Sequence, residues 1–511
     1  MTTTWPRFPL IYEVNTWVWL NELSKRYGQS IALGNVPPEE WDRLLGHHAD
    51  AVWLMGVWER SPAGIAVALA NRALTEEFQR VLPDYTEADV VGSPYCVRRY
   101  QVAKELGGAE GLARGRAELA SRGLRLVLDF VPNHVAPDHD WVRDHPEYFI
   151  QGTRDDLAAK PDEFLESNGS VIARGRDPFF PPWPDVVQLN AFSPQLRAAA
   201  LETLVSIGSQ CDGLRCDMAM LMMNPVFEET WGERAGTSPG TEFWPELLSA
   251  VRAVHPNVLF IAEAYWDLEW ELQQQGFDFC YDKRLYDRLV RDGGASVRGH
   301  LTADAEFQRR LIRFIENHDE PRAASTFDGS KARVAAVTAL TLPGARILHQ
   351  GQPEGRTVRL PVFLGRGPEE EVDEDLHCFY RQLLAAVSDP ILSEGEWTLC
   401  EQYGWDGNDR YQEIVAWAWE QDDARLLVVV NLSDQPAAAR VRLPWAGPWD
   451  VDWRLIDPLQ NDRFERGGSE LQAAGLYVAL PGWGFHFLQC APRAPEVRSR
   501  VAPRTERGAG G

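Results

Sequence analysis

The chain has 511 residues, too many for one ordinary domain and enough for a barrel-sized core with one or two smaller units. It is 44% hydrophobic and 25% charged, a globular composition, and 75 acidic against 51 basic residues leave a net charge of −24 that repels nucleic-acid phosphates and anionic membranes. No apolar stretch reaches the roughly 18 residues of a membrane span, the start MTTTWPRFPL lacks the regions of a signal peptide, and the seven cysteines form no CxxC pair, so a reducing, cytoplasmic setting is expected.

In chain order, short runs of Val, Ile, Leu and Phe that end in polar residues predict strands at 9–16, 50–57, 124–131, 211–217, 257–264, 277–282, 311–317 and 345–350. Helical segments separate most of them, such as GAEGLARGRAELASRG before the third strand and FSPQLRAAALETLVSIGSQ before the fourth. Nearly continuous apolar strands alternating with helices imply a parallel sheet buried on both faces. Eight repeats suit a closed (β/α)8 TIM barrel, with a doubly wound open sheet as the alternative.

Two connections are longer than one crossover helix needs. The second-to-third holds VGSPYCVRRY, and the third-to-fourth holds the Pro- and aromatic-rich RDPFFPPWPDVVQLN, read as part of an inserted subdomain. After about residue 400 the pattern changes to alternation with turns (YQEIVAWAWE, ARLLVVVNLS, LYVALPG), which predicts a small antiparallel β domain. The expected layout is a first barrel part at 1–134, the inserted subdomain and the helix after it at 135–210, the rest of the barrel at 211–398, the β domain at 399–490 and a disordered tail at 491–511.

Catalytic groups of such a barrel sit on the loops where its strands end. At those ends stand Asp129, Asn133 and His134 after the third strand, Arg215 and Asp217 at the fourth, Glu263 at the fifth, and Glu316, Asn317, His318 and Asp319 at the seventh. Any one of these has a plain alternative: an aspartate caps a helix as often as it reacts, and a lone histidine is more often structural. Their coincidence at consecutive strand ends favours a shared site. Within DGLRCD, an arginine beside an aspartate keeps the carboxylate ionised and aimed. Glu263 follows the apolar LFIA and precedes Tyr265 and Trp266, so desolvation and neighbouring acids should raise its pKa to that of a working acid. The 20 tryptophans suit sugar-ring stacking but are also ordinary core material.

LVLDFVPNH, DGLRCD, FIAEAYW and FIENHD resemble, in order, the four short sequence regions of the α-amylase family, glycoside hydrolase family 13, and VVQLN resembles its fifth. The resemblance covers roughly residues 8–490. It implies that Asp217 is the nucleophile, Glu263 the general acid/base and Asp319 the third carboxylate, which holds sugar hydroxyls. It also implies that Asp129, His134, Arg215 and His318 line or support the same sugar subsite. Tyr95 is the candidate stacking platform, weighed against loop packing, and Trp266 a second. Asn133 matches a residue that binds structural calcium in many members. The acid usual in the fifth region is replaced by Gln188, so no cofactor is expected as a requirement and calcium stays open. The Lys-His pair that follows the nucleophile in many starch-degrading members is Met220 and Leu221 here, a departure from typical endo-acting α-amylases.

The implied activity is that of a retaining α-glycosidase acting on maltodextrin, glycogen-derived or small α-glucoside substrates. A transglycosylase or isomerase of the same family is the first alternative, and a non-catalytic sugar-binding subunit the second. The expected partner is an α-glucoside oligosaccharide or polysaccharide, with no nucleic acid and no membrane; the oligomeric state is left open.

Overall fold

A computed structural model describes residues 4–46, 48–167 and 169–493. Eight strands, β1 (Leu10–Asn15), β2 (Ala51–Met55), β3 (Arg125–Phe130), β4 (Gly213–Cys216), β5 (Leu259–Ala262), β6 (Phe279–Tyr281), β7 (Leu311–Arg313) and β8 (Ala345–His349), pair in parallel in chain order. Ile11 of β1 lies opposite both Ala51 of β2 and Ile347 of β8, so the sheet closes into a (β/α)8 barrel and the open-sheet alternative falls. Every expected strand forms, trimmed at one or both ends, and the residues trimmed include apolar ones such as Val131 and Phe314. All five residues of β2 are buried, as a strand between a filled interior and a shell of helices requires.

The helices form because their caps and apolar spacing agree. Before β4, Pro194–Gly208 starts with Pro at its first position, and the Ser193 hydroxyl accepts from the Leu196 amide. Before β8, Ser330–Thr341 is buried along most of its length, because the barrel lies on one side and the C-terminal domain on the other. Gly344 turns the chain into β8 at φ +103°, and a Cβ there would stand 2.2 Å from the Leu311 carbonyl oxygen.

The inserted subdomain follows β3 as expected. Ser170–Ala173 pairs antiparallel with Gln151–Gly152 and Phe164–Ser167 over a small core that includes Phe149, Ile172 and Val187. The expected boundary after residue 134 falls inside a strand pair, since His134–Val135 is bonded antiparallel to Val187–Gln188. That pairing fixes the Pro-rich segment beside the barrel mouth. The long β2–β3 connection folds into a hairpin, Trp58–Arg60 with Val97–Val102, and two helices, Pro62–Ala70 and Arg72–Val81.

The C-terminal domain has a six-stranded and a three-stranded antiparallel sheet. It begins at Glu396, slightly before residue 399, and its last strand runs to Pro492, past the expected end at 490. The disordered tail expected over 491–511 is therefore strand at its start, and beyond Arg493 it lies outside the described residues. Strand Ile414–Gln421 serves two cores by alternation: Ile414, Ala416 and Ala418 face the domain's own core, while Val415, Trp417 and Trp419 join the barrel core. Among the described residues no helix is long and apolar enough to cross a membrane.

Candidate active site

The C-terminal ends of β3, β4, β5 and β7 bring Asp129, Arg215, Asp217, Glu263 and Asp319 to one mouth. Arg215 is buried at the centre. Its Nη1 is 2.6 Å from Asp217 Oδ1 and 3.8 Å from Asp129 Oδ1, and its Nη2 is 2.8 Å from Glu263 Oε2. The rings of Tyr95, Trp53 and Tyr281 surround the guanidinium at 5.1, 5.4 and 5.7 Å. A buried cation is tolerated only when charge and hydrogen bonding compensate its lost hydration, and here the compensation comes from carboxylates and π-faces.

Glu263 is held from three directions. Besides Arg215, the Met218 amide donates to its Oε2 at 2.6 Å and the Tyr265 hydroxyl to its Oε1 at 2.9 Å. Met218 reaches that position with φ 41°, and Trp266 and Asp267 also have positive φ, so backbone strain collects on the loops beside the acid. Burial pushes Glu263 up to about 7; Arg215 opposes the shift while Asp217 and Asp319 add to it. Both causes anticipated from the sequence are present.

Asp217 also moves upward. Burial outweighs the opposing pull of the Arg215 charge and hydrogen bond. Asp129 lies beneath the site rather than in the cleft wall, accepts from the Gly56 amide at 3.1 Å, and is raised chiefly by burial.

The two histidines take opposite states. Burial pushes His134 down to about 4, leaving it neutral beside the Trp183 ring at 5.2 Å. Burial also disfavours charge on His318, but Asp319 and Glu13 outweigh it and raise the imidazole well above its usual value. Its Nδ1 lies 2.5 Å from Glu13 Oε1, and its Nε2 lies 2.9 Å from Asp319 Oδ2 and 2.6 Å from the Tyr95 hydroxyl. The imidazolium in turn overcomes the desolvation of Asp319 and holds that carboxyl down to about 2.

Asp217, Glu263, Asp319, His134 and Tyr95 line one cleft of about 330 Å³ together with Trp183 of the inserted subdomain and Phe363 of the loop after β8. The Tyr95 ring also stacks on His318, at 5.3 Å between centroids, a packing contact within the site. Trp266 stands in the adjoining groove, edge-on to Phe179. Glu316 is drawn away from the cleft by Arg322 at 2.5 Å and His349 at 2.9 Å, and Asn317 caps the turn by accepting from the Asp319 amide.

The residues at Asn133 do not fit calcium. Gln188 Nε2 donates to Asn133 Oδ1 at 2.8 Å, so two neutral amides satisfy each other where a hard cation needs several oxygen donors, carboxylates among them.

Sequence reasoning passed over Glu13, Trp53 and Tyr281. Glu13 carried a usable signal, an acid near the end of an apolar strand, the same one that marked Asp217. The aromatic residues carried none, because a tryptophan or tyrosine in a barrel strand reads as core.

No protein-family model matches the chain. An α-amylase of Haloarcula japonica is 25% identical over 348 residues, covering 66% of this chain and 47% of that protein. An α-1,4-glucan:maltose-1-phosphate maltosyltransferase of Pseudomonas aeruginosa is 28% identical over 186 residues, 35% of this chain and 23% of that protein. The chain thus spans about half the length of the first relative and less of the second. The crystal structure of a maltogenic α-amylase from Thermotoga neapolitana has the same fold, with a TM-score of 0.66 at 17% identity over 94% of this chain and 98% of that one. The closed barrel with its C-terminal β domain is thus the fold of that α-amylase structure, and the four motifs at its strand ends resemble those of the α-amylase family.

Proposed function

We propose that this protein is a retaining α-glycosidase that cleaves α-glucosidic bonds of maltodextrins or small α-glucosides through a covalent glycosyl-enzyme intermediate. The observation that carries the reading is the Arg215 bridge: neighbouring nitrogens of one guanidinium hold Asp217 and Glu263, so the two carboxyls stand close together. Closeness suits the roughly 5 Å separation of retaining enzymes, whereas inverting ones leave room for a water between acids about 6.5–9.5 Å apart.

In the first step Asp217 attacks the anomeric carbon while Glu263, in its protonated form, gives its proton to the departing glycosidic oxygen. In the second, the Glu263 carboxylate takes a proton from water as the water oxygen displaces Asp217 from the same carbon. Two inversions restore the anomeric configuration. Asp319, ionised by His318, accepts hydroxyls of the reacting ring, neutral His134 offers a further hydrogen bond, and Tyr95 packs on the ring's apolar face.

Transfer to a sugar hydroxyl in place of water is the second reading, supported by the likeness to a maltosyltransferase. The reading takes the cytoplasm as the compartment, which seven free thiols support. A panel of maltose, maltotriose, glycogen and trehalose with chromatography of the products tests the proposal: smaller reducing sugars alone favour hydrolysis, longer or isomeric sugars favour transfer, and no turnover of any of them overturns it.

A further inference from the structure

Glu263 marks the direction of the cleft. A leaving group that takes its proton departs past Tyr265 and Met218, and those two residues also line the adjoining groove of about 330 Å³ with Trp266 and Phe180. The groove is open, and Phe179 and Phe180 at its edge are 61% and 66% exposed. The rest of a substrate, on the non-reducing side of the reacting ring, would have to leave past Asp319 and Phe363.

That side is shut. The loop after β8, which lines the cleft through Phe363, is fastened to the β2–β3 connection by two backbone bonds, Val91 N to Phe363 O at 2.9 Å and Gly365 N to Asp89 O at 2.8 Å, around an antiparallel bridge between Val90 and Leu364. Arg366 locks the contact through Nε to Asp89 Oδ1 at 2.6 Å, Nη2 to Asp89 Oδ2 at 3.0 Å and Nη1 to Asp84 at 3.1 Å. Beneath it Phe78, Leu82, Val90 and Leu364 form a dry cluster of their own. Backbone pairing, a bidentate ion pair and an apolar underlayer make this a fixed wall, since opening it would strand all three at once.

We infer that the clasp between residues 84–91 and 363–366 ends the cleft on the non-reducing side, so that the enzyme acts from the chain end and removes short sugar units while the open groove accepts leaving groups of any length. The inference rests on the glycosidase reading and narrows its substrate to α-glucosides with a free non-reducing terminus.

The test compares a 4-nitrophenyl α-maltoheptaoside with the same compound blocked at its terminal 4- and 6-hydroxyls, with products separated by chromatography. The expected result is glucose or maltose as the first product from the free compound and cleavage of the blocked one slower by at least about 100-fold, a discrimination that a steric wall readily supplies. Equal cleavage of both compounds overturns the inference and leaves the glycosidase reading intact; cleavage of neither removes that reading and the inference with it. In a folded Arg366→Ala variant the ratio of blocked to free cleavage should rise by about fivefold or more, and an unchanged ratio with the wall demonstrably loosened by proteolysis at 363–366 would discard the clasp as the barrier.

Discussion

A single guanidinium in contact with the proposed nucleophile and acid makes the site sensitive to the shape of that cation as well as to its charge. A lysine can match one of these contacts but cannot place two nitrogens at 2.6 and 2.8 Å from different carboxylates. Arg215→Lys should therefore fold, by its thermal melt, yet lose at least about tenfold in kcat/KM, roughly 1.4 kcal/mol in the barrier; near-parental turnover would reduce Arg215 to a counter-charge. Glu263→Gln should lose about 10²–10⁴-fold on natural sugars, which need the proton, and less on an activated aryl glycoside in the first step. The pH dependence follows from the protonated form being the acid. The alkaline limb of kcat/KM should fall as pH rises through about 7, where Glu263 ionises, and the acid limb should reflect Asp217, which must be ionised to attack. Stability carries the same sign. A carboxyl raised in the folded state binds its proton more tightly there than in the unfolded chain, so its ionisation costs stability between the ordinary glutamate range and about 7. Relative to the parent, Glu263→Gln should melt higher at pH 8 than at pH 5; a melting difference that does not change with pH would mean the raised pKa is wrong.

At the scale of elements, close approach between strands leaves narrow tolerances. Gly344→Ala would place a methyl against the Leu311 carbonyl at the β7–β8 contact in a conformation that already disfavours a side chain, and a loss of at least about 2 kcal/mol in chemical denaturation is expected. The amide pair of Asn133 and Gln188 predicts that a chelator such as EDTA leaves the melting temperature unchanged, whereas a fall reversed by calcium would reveal a cation site elsewhere in the loops. All eight strands were legible because a buried parallel strand is an apolar run closed by a polar residue, and in this fold the closing residue is often functional. Asp217, Glu263 and Asp319 stood out for that reason and by their resemblance to the family motifs, and the structure brings all three to one cleft. What was not legible depends on contacts remote in sequence. Nothing in VGSPY shows that Tyr95 would meet His318, and nothing in the polar loop after β8 shows that Arg366 would find Asp89. Strand ends were read too long because a run such as LIRFIEN stays apolar beyond the last ladder bond, which lies before Phe314.

The whole molecule unites barrel and β domain through shared side chains. Trp419 donates from its indole to the Thr341 carbonyl at 2.8 Å and meets Phe8 edge-on at 6.1 Å, while its strand neighbours on the opposite face complete the other core. The two parts should consequently unfold in one calorimetric transition, and Trp419→Ala should lower that transition as a unit by about 3–5 kcal/mol; two resolved peaks in the parent would show that the cores are independent. The clasp at the barrel mouth has a consequence at this scale too. For a slot closed at one end, the effective substrate concentration is set by the number of termini rather than the number of bonds or the mass of polymer. A branched glucan with many outer ends would then be consumed faster, gram for gram, than a linear one. Its rate would decay as the ends retreat toward branch points, although most of the linkages in the sample remain uncut.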